Sequence, residues 1–146
     1  MPQSIFVAID GSSAANKALD QAIALAQVLK SRLSISFVTD EADLMQHGMG
    51  LGSFINVEKI KEEIHNGADK MLDEAVARAT GCQAERLLIT SSNHRVAEAI
   101  ADAAKAWNAD LLVVGAHGVS GIERLLVGSV AEKLTRICPM SLLIVR

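Results

Sequence analysis

Cysteine, proline and aromatic residues are scarce in this chain of 146 residues, which has two cysteines, two prolines, one tryptophan, three phenylalanines and no tyrosine. Cys82 and Cys138 lie far apart in the sequence, and neither has a second cysteine or a histidine at the short spacing of zinc and redox motifs. We therefore expect both cysteines to be reduced structural thiols rather than metal ligands or a redox pair.

The chain also lacks an excess of positive charge and a long apolar run. Its formal net charge is −3 at pH 7, so no overall positive field would attract nucleic acid or an anionic membrane. No apolar run approaches the length of a membrane span, and residues 1–4 lead directly into a strand-like segment rather than into a signal peptide. These features favour a soluble cytoplasmic protein that binds no nucleic acid and has no membrane span.

Half of the residues are hydrophobic (50%) and 21% are charged, which is the balance of one globular domain that buries its own core. Apolar segments rich in β-branched residues predict strands, and segments with helical periodicity predict helices between them. The predicted strands are 5–9, 33–38, 86–89, 111–114 and 142–145. The predicted helices are 15–29, 57–79, 96–107 and a segment from Ser129 to just before Pro139, and either Ser12 or Ser13 is expected to cap the first of them.

Strand and helix alternate along the whole chain, which predicts an α/β fold with an open parallel sheet of five strands and helices on both faces, similar to a Rossmann fold. The predicted strands 111–114 and 142–145 are apolar throughout, as expected for strands covered on both faces. No linker or repeat divides the chain, so residues 1–146 are expected to form a single domain. The long irregular stretch 39–52 is expected to be a mobile loop.

Polar and glycine residues follow two of the predicted strands, at the sheet edge where open α/β sheets bind their ligands. The first strand ends in Asp10-Gly11-Ser12. The fourth ends in Gly115-Ala116-His117-Gly118, and Gly128-Ser129 follows at a helix start. Glycines allow backbone N–H groups to approach phosphate oxygens, and the positive end of a helix favours an anion. The pattern G-x2-G-x9-G-S after a buried strand therefore predicts a phosphate-binding site.

Several of these residues also have simpler interpretations. Taken singly, the glycines are ordinary turn formers and Ser129 is an N-cap, and Asp10 could also cap the first helix. His117 could donate to a phosphate or fill a turn position. Arg124 is the one positive residue between Gly118 and Gly128, where it could offset phosphate charge or lie on the surface.

The glycine pattern and the opening segment Val7-Ala8-Ile9-Asp10-Gly11-Ser12 resemble the ATP-binding members of the universal stress protein family. The similarity covers the whole chain, including the helix start at 128–134. The chain departs from the family at His94, where glycine is frequent, and at Met140-Ser141, where Pro-Val is frequent.

The resemblance implies an ATP site. Asp10 would contact the ribose or a divalent ion, Mg²⁺ or Mn²⁺, and Ala8 and Val38 would form the adenine pocket. The phosphate-binding positions would be Gly115, His117, Gly118, Gly128, Ser129 and Val130.

The resemblance further implies a homodimer, in which strand 142–145 could pair with its copy. The favoured function is a regulatory binding module rather than an enzyme, in which ATP changes the order of loops 39–52 and 119–127 and an unidentified protein partner detects the change. Two alternatives stand beside it, a slow ATP-hydrolysing or nucleotidyl-transferring enzyme and a scaffold that has lost its nucleotide. The chain has no G-x4-G-K-[ST] motif, which disfavours the enzyme, and its intact glycines disfavour the scaffold.

Overall fold

A computed structural model of the chain describes residues 1–40, 57–118 and 128–146. The elements alternate as the sequence predicts, and every predicted strand and helix is confirmed. In chain order they are β1 (Ser4–Ile9), α1 (Ser13–Leu29), β2 (Arg32–Asp40), α2 (Val57–Arg78), β3 (Ala84–Ser91), α3 (Val96–Ala106), β4 (Leu111–Gly115), α4 (Ser129–Ile137) and β5 (Ser141–Val145).

The strands form one sheet of five with the order β3-β2-β1-β4-β5, and all the neighbouring pairs are parallel. The chain proceeds from β1 outward to β3 and then returns to the other side of β1 to form β4. The connections that leave β1 and β4 therefore run in opposite directions and open a crevice at the carboxyl ends of these two strands. The predicted fold class is confirmed, and this crevice is the place where such a fold binds ligands.

Helices cover both faces of the sheet, and each face has its own apolar cluster. Residues of α1 and α2 pack with one face of β1 and β2, around Ile5, Val7 and Ile35. Residues of α3 and α4 pack on the opposite face, around Phe6, Leu112 and Leu134. Every residue of β1 is buried, because this central strand is covered on both faces.

The amino end of the sheet, opposite the crevice, is closed by Asp110 just before β4. Its Oδ2 accepts hydrogen bonds from the backbone N–H groups of Gln3 (2.9 Å) and Ser4 (3.0 Å) and from the Ser4 hydroxyl (2.9 Å). The N–H of Gln3, followed by the Ser4 hydroxyl, lowers the pKa of the Asp110 carboxyl because these donors favour its charged form. This network anchors the start of β1 against the start of β4.

Neither Cys82 nor Cys138 forms a disulfide within the chain. Burial raises the pKa of the Cys82 thiol, since an apolar environment disfavours the thiolate. Of the helices that the structure describes, none is long and apolar enough to cross a membrane.

Candidate functional site

The turn after β1 fixes the carboxylate of Asp10. Oδ1 of Asp10 accepts the backbone N–H of Ser12 at 2.9 Å, across Gly11, whose φ of +86° suits a residue without a Cβ. The N-cap of α1 is Ser12, whose hydroxyl accepts the N–H of Ala15 at 3.2 Å. Ser12 is thus the correct choice of the two capping serines. Asp10 is not the cap of the first helix, which leaves its carboxylate available for another role.

The segment after β4 is held by backbone hydrogen bonds on two sides. Ala116 is buried, and its N–H donates to the carbonyl of Val145 at the end of β5 (2.7 Å). The carbonyl of Ala116 accepts the N–H of Gly128, the residue before α4, at 2.6 Å. Residues 116–118 are therefore fastened to the neighbouring strand and to the start of the last helix.

Asp10 and Gly118 meet at the crevice. A Cβ atom placed on Gly118 would lie 3.1 Å from Oδ2 of Asp10, the carboxylate oxygen that does not bind Ser12. The Ser12 hydroxyl also donates to the backbone carbonyl of His117 at 3.3 Å. The two segments that the sequence singled out, far apart along the chain, are thus neighbours in space.

The other two glycines of the pattern face protein atoms instead. A Cβ on Gly115 would lie 2.7 Å from the carbonyl carbon of Ala14 and 2.8 Å from the nitrogen of Ala15, so this glycine allows β4 to approach the start of α1. A Cβ on Gly128 would lie 3.0 Å from the carbonyl oxygen of Ala116. Since the N–H of Gly128 already donates to that oxygen, the sequence-based idea that this N–H faces a phosphate needs correction: Gly128 joins α4 to the crevice.

The start of α4 has N–H groups that no capping side chain binds among the residues that the structure describes. Gly128 is the N-cap residue with extended backbone angles (φ −62°, ψ 162°), and it has no side chain to accept a hydrogen bond. Ser129 is exposed and is the first residue of the helix, so the interpretation of Ser129 as an N-cap is wrong. Because the first turn of a helix carries unpaired N–H groups and a partial positive charge, this end of α4 suits an anion.

The remaining predicted residues lie around the same edge of the sheet. Ala8 is buried, and Val38 and Val130 are partly buried, all three in the apolar cluster beneath α3 and α4. His117 is half-buried, and its carbonyl is bound by Ser12 as described above. Their predicted roles toward the base and the phosphates stay predictions.

Some sequence-based expectations fall outside the described residues. Arg124, the loop 119–127 and most of the loop 39–52 belong to the segments that the structure does not describe. Within the described ranges, no group of three or more His, Cys, Asp or Glu side chains could hold a metal ion. A divalent ion at Asp10 would therefore take one carboxylate from this part of the chain and complete its oxygen shell with phosphate and water.

Sequence reasoning missed one neighbour of the Asp10 turn. The helical periodicity of α2 places Met71 on the apolar face of this helix, but its side chain is 43% exposed and lies against Gly11. Its Cε atom would be 3.3 Å from a Cβ on Gly11. No local signal in the sequence pairs these two residues, because their contact depends on how α2 crosses the sheet.

Comparison with known proteins decides the family of this chain. The sequence model of the universal stress protein family matches residues 1–146, the whole chain. The chain belongs to the universal stress protein family. Relatives of this family with curated descriptions include the universal stress protein YxiE of Bacillus subtilis (strain 168), which is 33% identical over 151 aligned positions that span all of both chains.

Solved universal stress protein structures share the fold. A member from Burkholderia pseudomallei is 28% identical, and the match covers 98% of this chain and 95% of that one with a TM-score of 0.73. A universal stress protein solved in complex with cAMP is 26% identical, with 99% and 97% of the two chains covered and a TM-score of 0.71. Both are similar to this universal stress protein along nearly its whole length.

Proposed function

We propose that this universal stress protein binds ATP in the crevice between β1 and β4 and acts as a nucleotide-dependent regulatory module of the stress response in the cytoplasm. The observation that carries the proposal is the meeting of Asp10 with Gly118 beside the start of α4. At this sheet edge a carboxylate suits a ribose hydroxyl or a cation on the phosphates, while a bare backbone and a helix N-terminus suit the phosphates themselves.

Each part of ATP has a candidate contact. The phosphates would lie against the backbone of His117 and Gly118 and the first turn of α4, where Ser129 adds a hydroxyl donor. Oδ2 of Asp10, the oxygen to which Ser12 does not donate, would contact either a ribose hydroxyl or a divalent ion that binds the phosphates. Gly115 and Gly128 would support this arrangement through packing, since a Cβ atom at either position would meet protein backbone. The base would lie near Ala8, Val38 and Val130.

The relative solved with cAMP supports an adenine nucleotide as the ligand class, because its sequence is 26% identical to this chain over nearly the full length. cAMP carries one cyclic phosphate and ATP carries three, so that relative leaves the number of phosphates open. The hydrogen bond between Ala116 and Gly128 holds the start of α4 beside segment 116–118, and no described side chain caps that helix start. Both features favour a ligand with an extended phosphate chain.

Charge argues for a divalent cation at this site. ATP brings several negative charges to a crevice where Asp10 adds another, and an exposed helix end supplies only about 0.3–1 kcal/mol. Mg²⁺ or Mn²⁺ bound by Oδ2 of Asp10 would neutralise phosphate charge through hard oxygen ligands. We place the ion at Asp10 because Ser12 binds only the other carboxylate oxygen.

A binding role is favoured over an enzymatic one. The chain has no lysine between Gly115 and Ser129 and no G-x4-G-K-[ST] motif, so it lacks there the lysine with which P-loop enzymes stabilise phosphoryl transfer. An unidentified protein partner would instead detect whether the module has ATP bound. The module would act as a homodimer whose two copies pair through β5. The outer edge of β5 has no partner strand among the described residues, which is consistent with this pairing.

The test begins with protein purified under native conditions, because a bound nucleotide can then be identified directly by mass spectrometry. Calorimetric titration of the nucleotide-free protein with ATP, ADP, AMP, cAMP and GTP follows. We expect ATP to bind tightest and GTP, which lacks the adenine base, to bind weakly or not at all. Absence of binding by every adenine nucleotide would refute the proposal. Steady ATP turnover by the purified protein would favour the enzymatic alternative.

A further inference from the structure

The hydroxyl of Ser12 makes two hydrogen bonds in opposite directions. It accepts the N–H of Ala15 at 3.2 Å, which caps α1, and it donates to the carbonyl of His117 at 3.3 Å, which lies after β4. A helix cap requires only the first bond. The second bond crosses the crevice and joins the two segments on which the proposed nucleotide site is built.

The bond to His117 differs from the other hydrogen bonds of segment 116–118. Those are backbone bonds, from Ala116 to Val145 and from Gly128 to Ala116, and they tie the segment to β5 and α4. Among the described residues, Ser12 contributes the one side-chain hydrogen bond that ties this segment to the turn after β1. Without the bond from Ser12 to His117, no polar side-chain contact among the described residues would set the distance between the turn after β1 and segment 116–118.

The same turn holds the carboxylate of Asp10. The N–H of Ser12 binds Oδ1 of Asp10 at 2.9 Å, while the Ser12 hydroxyl holds His117, whose next residue is Gly118. Ser12 therefore contacts both sides of the gap between Asp10 and Gly118. That gap is narrow, since a Cβ on Gly118 would already lie 3.1 Å from Oδ2 of Asp10.

We propose that Ser12 is a positioning residue of the nucleotide site, whose hydroxyl sets the distance between the Asp10 carboxylate and the backbone at Gly118. The inference rests on the proposed nucleotide function and adds a residue to it. Ser12 acts through its neighbours and is not assigned a contact with the ligand. A hydroxyl that holds the two sides in place before binding removes part of the ordering cost that the nucleotide would otherwise have to overcome.

Helix capping and positioning can be separated by the choice of substitution. At an N-cap, glycine costs only a few tenths of a kcal/mol relative to serine, whereas alanine costs about 1 kcal/mol. Ser12→Gly and Ser12→Ala both remove the donor to His117 but differ in their effect on the helix. Ser12→Thr retains a hydroxyl that can make both bonds. If Ser12 only caps α1, the variants that lose stability will be the ones that lose nucleotide affinity. If Ser12 positions the site, every variant without the hydroxyl will lose affinity, whatever its stability.

The experiment measures ATP affinity by calorimetry and thermal unfolding by circular dichroism for the wild type and the three variants. We expect Ser12→Gly and Ser12→Ala to weaken ATP binding equally, each by about 3- to 10-fold. Only Ser12→Ala should unfold at a clearly lower temperature than the wild type. Ser12→Thr should bind within about twofold of the wild type.

The outcomes that contradict Ser12 positioning differ from those that contradict ATP binding. Wild-type affinity in Ser12→Gly, or a loss in Ser12→Thr as large as in Ser12→Ala, would overturn the positioning role while ATP binding by the wild type remained. A wild-type protein that binds no adenine nucleotide would refute the proposed function itself. Since Ser12→Gly barely disturbs the cap, the test does not depend on the alanine variant folding well.

Discussion

Gly118 lies so close to Asp10 that a Cβ atom on the glycine would stand 3.1 Å from Oδ2 of the aspartate. The contact joins the turn after β1 to the turn after β4, the two strands whose connections diverge at the crevice. Such a distance is tighter than an ordinary carbon–oxygen contact, so the space beside the carboxylate exists because residue 118 has no side chain.

We expect Gly118→Val to abolish ATP binding, a loss of about 100-fold or more, while the domain remains folded. The branched side chain would fill the space beside Asp10, but the buried strands that hold the fold would be unchanged. Calorimetry measures the affinity, and circular dichroism checks the fold. Gly67→Ala is the matched control, because a Cβ at Gly67 meets nothing within 4 Å. Wild-type affinity in folded Gly118→Val would show that the phosphate segment is wrongly placed.

Asp10 provides the second prediction. We expect ATP to bind more weakly when a chelator removes divalent cations, and Asp10→Ala to lower the affinity and abolish the effect of the chelator, because the ion loses its carboxylate ligand. The measurement is ATP affinity with Mg²⁺, with Mn²⁺ and with chelator for both proteins. If the chelator leaves the wild type unchanged but Asp10→Ala still weakens binding, Asp10 binds ribose. If neither change has an effect, Asp10 is only a turn residue.

The edge strand β5 provides the third prediction. Its residues Leu142, Leu143 and Ile144 are only partly buried within the chain, and we expect two copies of this strand to pair in a homodimer. Ser141 is exposed at the start of the strand, so Ser141→Lys should place a charge at the shared edge and shift the protein toward monomer with little loss of stability. Light scattering at micromolar concentration measures the mass, with Ser141→Thr as the control. A wild-type monomer would contradict the pairing.

Two serines of β2 provide a stability prediction. Ser34 and Ser36 are both fully buried on the same face of the strand, with relative exposures of 1% and 0%. The Ser36 hydroxyl donates to the carbonyl of Val7 at 2.9 Å, whereas the Ser34 hydroxyl has no hydrogen-bond partner among the described residues. A buried hydroxyl without a partner is unfavourable, and removing it relieves that cost.

We therefore expect Ser34→Ala to raise the free energy of unfolding by about 1 kcal/mol and Ser36→Ala to lower it by about 1 kcal/mol. Urea unfolding at pH 7 measures both variants, and each is the control for the other because the chemical change is the same. Equal effects of the two substitutions would mean that the Ser34 hydroxyl has a partner, such as a buried water.

Asp110 provides a prediction on pH. Its pKa is lowered in the folded state, so in the pH range between the folded and the unfolded pKa the unfolded chain binds more protons and stability rises with pH. The stabilisation is present above the unfolded pKa and is lost as pH falls through the folded pKa. The Lys133 ammonium likewise lowers the pKa of Glu98, so Asp110 accounts for only part of the acid sensitivity.

We expect Asp110→Asn to be less stable than the wild type near pH 7, and the difference to shrink as the pH falls through the acid range, because the wild-type carboxyl becomes protonated. The readout is the unfolding free energy as a function of pH. Asp102→Asn, at an exposed position of α3, is the control for the same change in formal charge. A difference between Asp110→Asn and wild type that stays constant with pH would contradict the role assigned to the Gln3 and Ser4 donors.

The sequence alone determined the architecture, because apolar segments with strand character alternate with segments of helical periodicity, and few packing arrangements of strands and helices satisfy that order. Continuously apolar strands such as Leu111–Gly115 must be covered on both faces, and the helices between them then fall on the two sides of a parallel sheet. It also pointed to the crevice, because residues at the carboxyl ends of parallel strands share one edge. The same argument identifies Asp10 and Gly118 as candidate site residues.

Only the tertiary structure decided what each glycine does, because that depends on atoms far away in the sequence. Gly115 faces the start of α1, Gly128 faces the carbonyl of Ala116, and Gly118 alone among them borders Asp10. The bond from Ser12 to His117 is likewise invisible in the sequence, where serine before a helix is simply a cap. A local sequence pattern specifies backbone conformation and burial. Whether two residues far apart in the sequence touch depends on how closely the packed strands and helices bring their segments together.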